Sequence, residues 1–251
     1  MVEAKGVVVE TSTLVYTGSH DIALEHLFGI LRNRGVSVDV HWIGSLKGLA
    51  TILLNESDLA GIHILGLDTG GYNIEYLRRY GGGEELVLIK GFKREQGFVV
   101  RKHMSYREAV DKLLNGELRL VNRNPGSGTR LLLEQIISKE SEKRRLNLDT
   151  IRNNIRGYRD EVYTHIDVVR KIASGEADIG IAIKWVAEAY KLPFIHITWE
   201  DFDFITRTDK GGTKKIKEFI NTLRSREFKE ILDGFSGYKL CKDMGGIIYI
   251  K

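Results

Sequence analysis

Short β-branched runs alternate with stretches of helical periodicity along nearly the whole 251-residue chain, and this alternation restricts the fold more than any other feature. Val36, Val38, Val40 and Trp42 alternate as in a strand with one buried face. Just before them, Leu24, Leu27, Phe28 and Leu31 fall at i, i+3, i+4 and i+7, the spacing of one helical face, and Gly35 ends that helix. Val7-Val8-Val9 and residues 62–65, 86–89, 97–101, 118–121, 178–183, 194–198 and 202–206 read as further strands. Residues 46–55, 106–113, 128–137, 165–173, 216–223 and 228–232 read as helices. Strands separated by helices predict an α/β fold with mostly parallel sheet flanked by helices. Gly81-Gly82-Gly83 predicts a break between two lobes. A second crossing near 198–201 would return the chain, giving 1–90 with 199–251 as lobe 1 and 91–198 as lobe 2. Ligands in such sheets bind at the carboxyl ends of strands, beside helix N-termini.

One strand–turn–helix junction stands out: Asn122-Arg123-Asn124-Pro125-Gly126-Ser127-Gly128-Thr129-Arg130. The first N–H groups of a helix have no intrahelical acceptor, and the macrodipole adds about half a positive charge there. Glycines allow close backbone approach, and Ser127 and Thr129 add hydroxyl donors, so Ser127, Gly128 and Thr129 make an anion site. Arg123 and Arg130 could add charge-assisted bonds. The plainer alternative is that Ser127 or Thr129 only caps its own helix. The loop lacks the P-loop lysine, the third glycine of a dinucleotide fingerprint and a nucleophile-elbow pattern.

Three more junctions carry donors. The first runs from Thr11, Ser12 and Thr13 to Ser19, His20 and Asp21, after the Val7–Val9 run. The second is Gly44-Ser45 and the third is Thr164-His165. Each could serve an oxyanion or simply cap a helix. Arg94 reads as a hinge residue paired with Glu95, with ligand contact as the alternative, and His63 reads as a core histidine in an apolar strand.

Composition narrows the function. Hydrophobic residues make up 42% of the chain, enough for a sizeable core, and the net charge of +4 mildly suits an anionic ligand. The single cysteine, Cys241, excludes an intrachain disulfide framework and a Cys-rich metal site. No histidine pair has metal-ligand spacing, so no metal is expected. The start of the chain does not read as a secretory signal, and no run approaches the roughly 20 apolar residues that span a bilayer, so a cytoplasmic protein without membrane contact is expected. The basic run from Lys139 to Arg156 is interleaved with acids and lacks aromatics, reading as solvated surface rather than a nucleic-acid face. Abundant Lys, Glu and Ile with few Pro and Cys suggest a thermophile.

With these segments in hand, the chain resembles the type II periplasmic-binding-protein-like superfamily. More narrowly, it resembles the cytoplasmic binding-protein-like domain attached to molybdopterin-biosynthesis proteins and some helix-turn-helix regulators. The segments that carry the resemblance are Gly18-Ser19-His20-Asp21, Gly61-Ile62-His63-Ile64-Leu65, Gly71-Tyr72-Asn73, Arg94-Glu95-Gln96-Gly97, Asn122-Arg123 through Gly126–Arg130, Gly157-Tyr158 with Thr164-His165, and Gly175–Gly180, in the family's order. The resemblance implies a two-lobed fold with a cleft between the lobes, each lobe a mostly parallel sheet. It implies molybdate or tungstate as ligand, with Arg123 in the position of an anion-reaching arginine and Thr11-Ser12-Thr13 matching a hydroxyl-rich first loop.

The leading expectation is a non-enzymatic oxyanion binder without a cofactor, acting in molybdenum or tungsten cofactor metabolism or as an intracellular sensor. Its partner would be a molybdopterin-biosynthesis or regulatory protein. The alternative is a regulatory module for a small organic acid or pterin-like metabolite, which Tyr16, Tyr72 or Tyr158 lining a large cleft would favour. A catalytic reading would need Ser127 and His165 in hydrogen-bond reach.

Overall fold

A computed structural model describes residues 13–66, 71–81 and 85–250. The first third reads β1 (Leu14–Gly18), α1 (Ile22–Asn33), β2 (Val38–Trp42), α2 (Ser45–Leu53), β3 (Leu59–Ile62) and α3 (Ile74–Tyr80). The 15-residue strand β4 (Leu86–Val100) then leads into α4 (Tyr106–Leu114), β5 (Leu120–Arg123), α5 (Gly128–Arg144), α6 (Leu148–Asn154), β6 (Glu161–Val162), α7 (His165–Ala173), β7 (Ile179–Ile183) and α8 (Lys184–Ala189). A second long strand, β8 (Phe194–Arg207), returns, followed by α9 (Thr208–Gly211), α10 (Lys214–Arg224), α11 (Arg226–Asp233), β9 (Tyr238–Lys239) and β10 (Ile247–Ile250).

The strands order as β2-β1-β3-β8-β4-β7-β5-β6, with β9 and β10 also on β4. The triplets β2-β1-β3 and β7-β5-β6 are parallel. Between them β4 and β8 run antiparallel from Leu86–Arg207 to Val99–Phe194, so two continuous strands cross from one half of the sheet to the other. Their register slips between Ile89 and Phe92 and between Gln96 and Gly97, the bulges expected where a strand pair bends between two sheets. The mixed α/β architecture agrees with the sequence, with the parallel pairing confined to the outer triplets.

Several segments differ from the sequence expectation. Val7–Val9 lie outside the described residues, and the first described strand starts at Leu14, inside the stretch read as a hydroxyl loop. Residues 86–89 and 97–100 belong to one strand, which ends one residue before Arg101, and 194–198 and 202–206 belong to another. The polar stretch Lys93–Gln96 had suggested an interruption. Arg94 and Gln96 are instead fully buried and paired, which removes the cost of extending the strand through them.

Three apolar clusters hold these layers. Leu24, Leu27 and Phe28 of α1 meet Phe219 of α10, Phe228 of α11 and Phe204 of β8. Leu49 and Ile52 of α2 pack with Leu77 of α3 and with Leu86 and Leu88 on the opposite face of β4. In the other half, Val110, Leu133, Ile137 and Ile151 from α4, α5 and α6 cover Phe98 and Ile179. No helix among the described residues is long and apolar enough to cross a membrane.

Candidate functional site

Four helices of nine residues or more begin where parallel strands end, and their N-termini face one region. From one side, β1 turns through Ser19-His20-Asp21 into α1, and β2 turns through Gly44 into α2. From the other, β5 turns through Asn124–Ser127 into α5, and β6 turns through Tyr163-Thr164 into α7. The two sides touch. The Leu46 amide donates to Gly126 O across 3.4 Å, and the Gln96 Nε2 donates to Thr129 Oγ1 across 3.3 Å. Gly128 lies so close to His63 that a Cβ there would sit 2.3 Å from His63 O. Helix geometry leaves the amides of Gly128 and Thr129 without a backbone acceptor, because the first i to i−4 donor of α5 is Leu131, to Ser127 O.

The donors gather unevenly. Gly18 has φ 108° and a Cβ there would lie 2.4 Å from Gly61 O; glycine lets β1 end against β3, with the Ser19 amide donating to Gly61 O at 3.0 Å. Ser19 and Ser45 Oγ then lie 2.7 Å apart, and Ser45 Oγ also accepts from the His63 amide. His20 gives Nε2 to Glu25 at 3.1 Å and keeps a buried, unpartnered Nδ1. Ser127 caps α5, accepting from the Arg130 amide and donating to Asn124 O, so its hydroxyl is occupied and makes no bond to His165. Thr129 is buried, and Thr164 caps α7 and donates to Asp167 Oδ2 at 2.6 Å. His165 opens α7, fully enclosed, with Nδ1 unpartnered.

Two predicted groups stand apart. Thr13 precedes β1 at its far end, about five strand residues or ~17 Å from the Gly18 turn, and its carbonyl takes Lys215 Nζ. Arg130 points along α5, bonding Glu134 at 2.9 Å and stacking its guanidinium 4.3 Å from the Tyr158 ring. Thr11 and Ser12 lie outside the described residues.

The centre contains four residues that sequence reasoning did not place there: His63, Arg94, Gln96 and Glu200. Arg94 is fully buried, with Nη1 2.7 Å from Asp21 Oδ2, Nε 2.6 Å from Glu200 Oε1 and Nη2 also against Glu200. It does not pair with Glu95, which lies on the other face of β4 with His196 and Lys184. The period-two alternation of a strand, with Arg94 and Gln96 on one face, is the signal that could have found this. Glu200 Oε2 accepts from Gln96 Nε2 at 2.6 Å and lies 2.7 Å from His63 Nδ1. Tyr238 donates to Asp21. Burial alone would raise the pKa of Glu200, but Arg94 and His63 outweigh it and hold the carboxyl down at about 2.

Arg123 is different. It is fully enclosed, its Nη2 donates to Tyr163 O at 2.8 Å, and Nε and Nη1 have no partner. Burial first, then the like charge of Arg94, press its pKa down. The same two influences, burial and then Arg123, press the His165 imidazole well below its ordinary value. The Arg123 guanidinium makes no hydrogen bond to a carboxylate and lines one small cavity with Thr129 in the first turn of α5. Among the described residues, no group of three or more acidic, histidine or cysteine side chains could hold a metal ion.

The chain belongs to the PBP superfamily, whose domain it matches over residues 30–224. It is 27% identical over 223 residues, covering 88% of this chain and 68% of the relative, to the uncharacterized protein YvgK of Bacillus subtilis (strain 168). Its fold is similar to that of a putative phosphate ABC transporter substrate-binding protein with bound phosphate from Clostridium perfringens, with TM-score 0.65 and 14% identity over 92% of this chain and 100% of that one. It is similar as well to PhnD1 from Prochlorococcus marinus (MIT 9301) in complex with methylphosphonate, with TM-score 0.58 and 17% identity over 94% and 95% of the two chains.

Proposed function

We propose that the protein is a non-enzymatic receptor for a small tetrahedral oxyanion, held where α1, α2, α5 and α7 begin. The observation that carries this is Arg123: a buried guanidinium with Nε and Nη1 unpartnered, lining one small cavity with Thr129 in the first turn of α5. Leaving a charge buried and unpaired costs several kcal/mol, roughly, and an anion in its reach would offset that cost. Ser19, Ser45, Thr129 and His165 complete the donor shell, and closure of the two halves about β4 and β8 would enclose the ligand.

Molybdate or tungstate is the ion implied by the family resemblance; phosphate and methylphosphonate are the ligands of the two structural relatives. The carboxylates at the centre, Asp21 and Glu200, are already engaged by Arg94, Tyr238, His63 and Gln96, so donors prevail toward the ligand, which suits a fully ionised oxyanion. Gln96 Oε1 is a buried acceptor without a partner, the group a protonated oxyanion would use. A larger pterin-like ligand is less well served. Tyr16 is buried and donates to Ser19 O, and Tyr158 is committed to Glu134 and Arg130, so neither offers a free aromatic wall. The proposal includes a cytoplasmic role as sensor or carrier for molybdenum or tungsten cofactor metabolism, delivered to a biosynthetic or regulatory partner protein.

Isothermal titration calorimetry with molybdate, tungstate, sulfate and phosphate tests the reading. Tight binding of at least one ion, weakened by Arg123→Ala, is expected. Absence of heat with all four, on folded protein stripped of bound anion, would refute it.

A further inference from the structure

The oxyanion site contains imidazoles as well as arginine, and their hydrogen-bond states are informative. His165 stands at the first turn of α7 with a buried Nδ1 that meets no protein donor or acceptor. Around it stand Arg123 from β5, Arg94 from β4, His63 after β3 and His20 before α1, all of them cationic or capable of becoming so. Glu200 of β8, a buried carboxylate of the cluster, is committed to Arg94, His63 and Gln96. Asp167, on α7 itself, takes the Thr164 hydroxyl. The other elements packed on α7 bring no charge to it: β7 is Ile179-Gly180-Ile181-Ala182-Ile183, and Lys184 of α8 reaches Glu95 and Glu188. Without an anion His165 therefore stands in a positive environment, which opposes its protonation.

An arriving dianion reverses that environment. Of the two neutral tautomers only the Nδ1–H form could donate from that nitrogen, and it would give a neutral bond; the protonated ring donates a charge-assisted one, roughly twice as strong. His20 brings a second buried ring nitrogen of this kind. Its Nε2 lies 3.1 Å from Glu25, which can only accept, and its Nδ1 is buried without a partner. The fixed charges point the same way. Asp21 and Glu200 are both spent on Arg94, so Arg123 is the single fixed side-chain charge left to meet a dianion, one short of its two charges.

We propose that this site takes up a proton together with its oxyanion, with His165 as the group that becomes charged. The inference rests on the oxyanion reading above and adds its regulation. The sign follows from linkage. The free-state pKa of His165 is depressed and the anion raises it, so affinity is highest below the free-state value. It falls as pH rises toward the bound-state value, by up to about tenfold per pH unit.

Calorimetry of molybdate and of sulfate, neither of which titrates near neutral pH, in buffers of different ionisation enthalpy at one pH reads the proton count directly. An uptake approaching one proton per anion is expected for the wild type. His165→Asn places a permanent N–H near the Nδ1 position and should bind the anion with little or no uptake and a flattened pH profile. His165→Phe, which offers no donor, should bind at least tenfold more weakly. Binding whose heat does not depend on buffer would overturn the proton coupling and leave the oxyanion reading standing. Full uptake retained in His165→Asn would overturn the assignment to His165. No anion binding in any buffer would overturn both.

Discussion

Arg94 and Arg123 are both buried arginines on strands of one sheet, yet they sit in opposite electrostatic situations. Arg94 meets Asp21, Glu200 and the His20 carbonyl, and stacks 4.4 Å from the Phe202 ring, so its charge is compensated by two carboxylates inside the protein. Arg123 reaches one carbonyl. The contrast teaches that burial alone does not identify a ligand-binding charge; the identity of its partners does. Arg94 joins the turn before α1 to both crossing strands, whereas Arg123 is held ready for a charge that the protein does not supply.

The largest effect expected from breaking this contrast is on stability. Arg94→Met strands Asp21 and Glu200 without their cation and should cost about 3–5 kcal/mol, measured by urea denaturation. A cost below about 1 kcal/mol would show that the two sites are not so different. The mirror experiment is Arg123→Met. It removes an uncompensated charge, so the ligand-free protein should be as stable as wild type or more so. Its anion affinity should fall about 100-fold, since two charge-assisted bonds at ~1.5 kcal/mol each are lost. Arg123→Lys should recover only part of it, because a point charge cannot reproduce two N–H bonds of a planar fork.

A smaller change tests the contact between the two halves. In Gly128→Ala the new methyl would press on His63 O and on the His63 ring, 2.4 Å from Nδ1. Overpacking of this kind costs ~1–3 kcal/mol, which here falls on the closed arrangement, and anion affinity should drop about tenfold with a weaker effect on unfolding. Wild-type affinity in this variant would mean that the Gly128–His63 approach does not matter for binding.

The wall that holds Arg123 was largely legible in the sequence, because its features are local. A strand, a turn rich in Gly, Ser and Asn, and a capped helix follow one another within ten residues around Arg123 and Ser127, and the Ser19 and Ser45 turns repeat the pattern. The Arg94 centre was not legible, because its partners are remote: Glu200 lies 106 residues away and Asp21 73 away. Without them, Lys93-Arg94-Glu95-Gln96 looks like an interruption between two short strands, and one long crossing strand reads as two. The misplacement of Thr13 has a similar origin. The alternation Leu14-x-Tyr16 lies in a stretch rich in Thr and Ser that reads as loop, and only its pairing with β2 and β3 makes it a strand.

Acid separates the two arginines most finely. The pKa of Glu200 is about 2 in the folded protein, below the ~4.3 of an unfolded chain. A depressed carboxyl contributes stability that is fully present above the unfolded value and is lost as pH falls from there through the folded one. The Arg94 centre should therefore lose stability between about pH 4.3 and 2, with a slope of at most ~1.4 kcal/mol per pH unit from this one group. Arg123 makes no hydrogen bond to a carboxylate and feels Glu200 only through space, so it should contribute little to that slope. Urea midpoints measured across this range should thus show the same acid limb in Arg123→Met as in the wild type, and a shallower limb in Glu200→Gln, whose amide does not titrate. A shallower limb in Arg123→Met would mean that Arg123 leans on Glu200 more than its hydrogen bonds show, and the division between the two arginines would have to be redrawn.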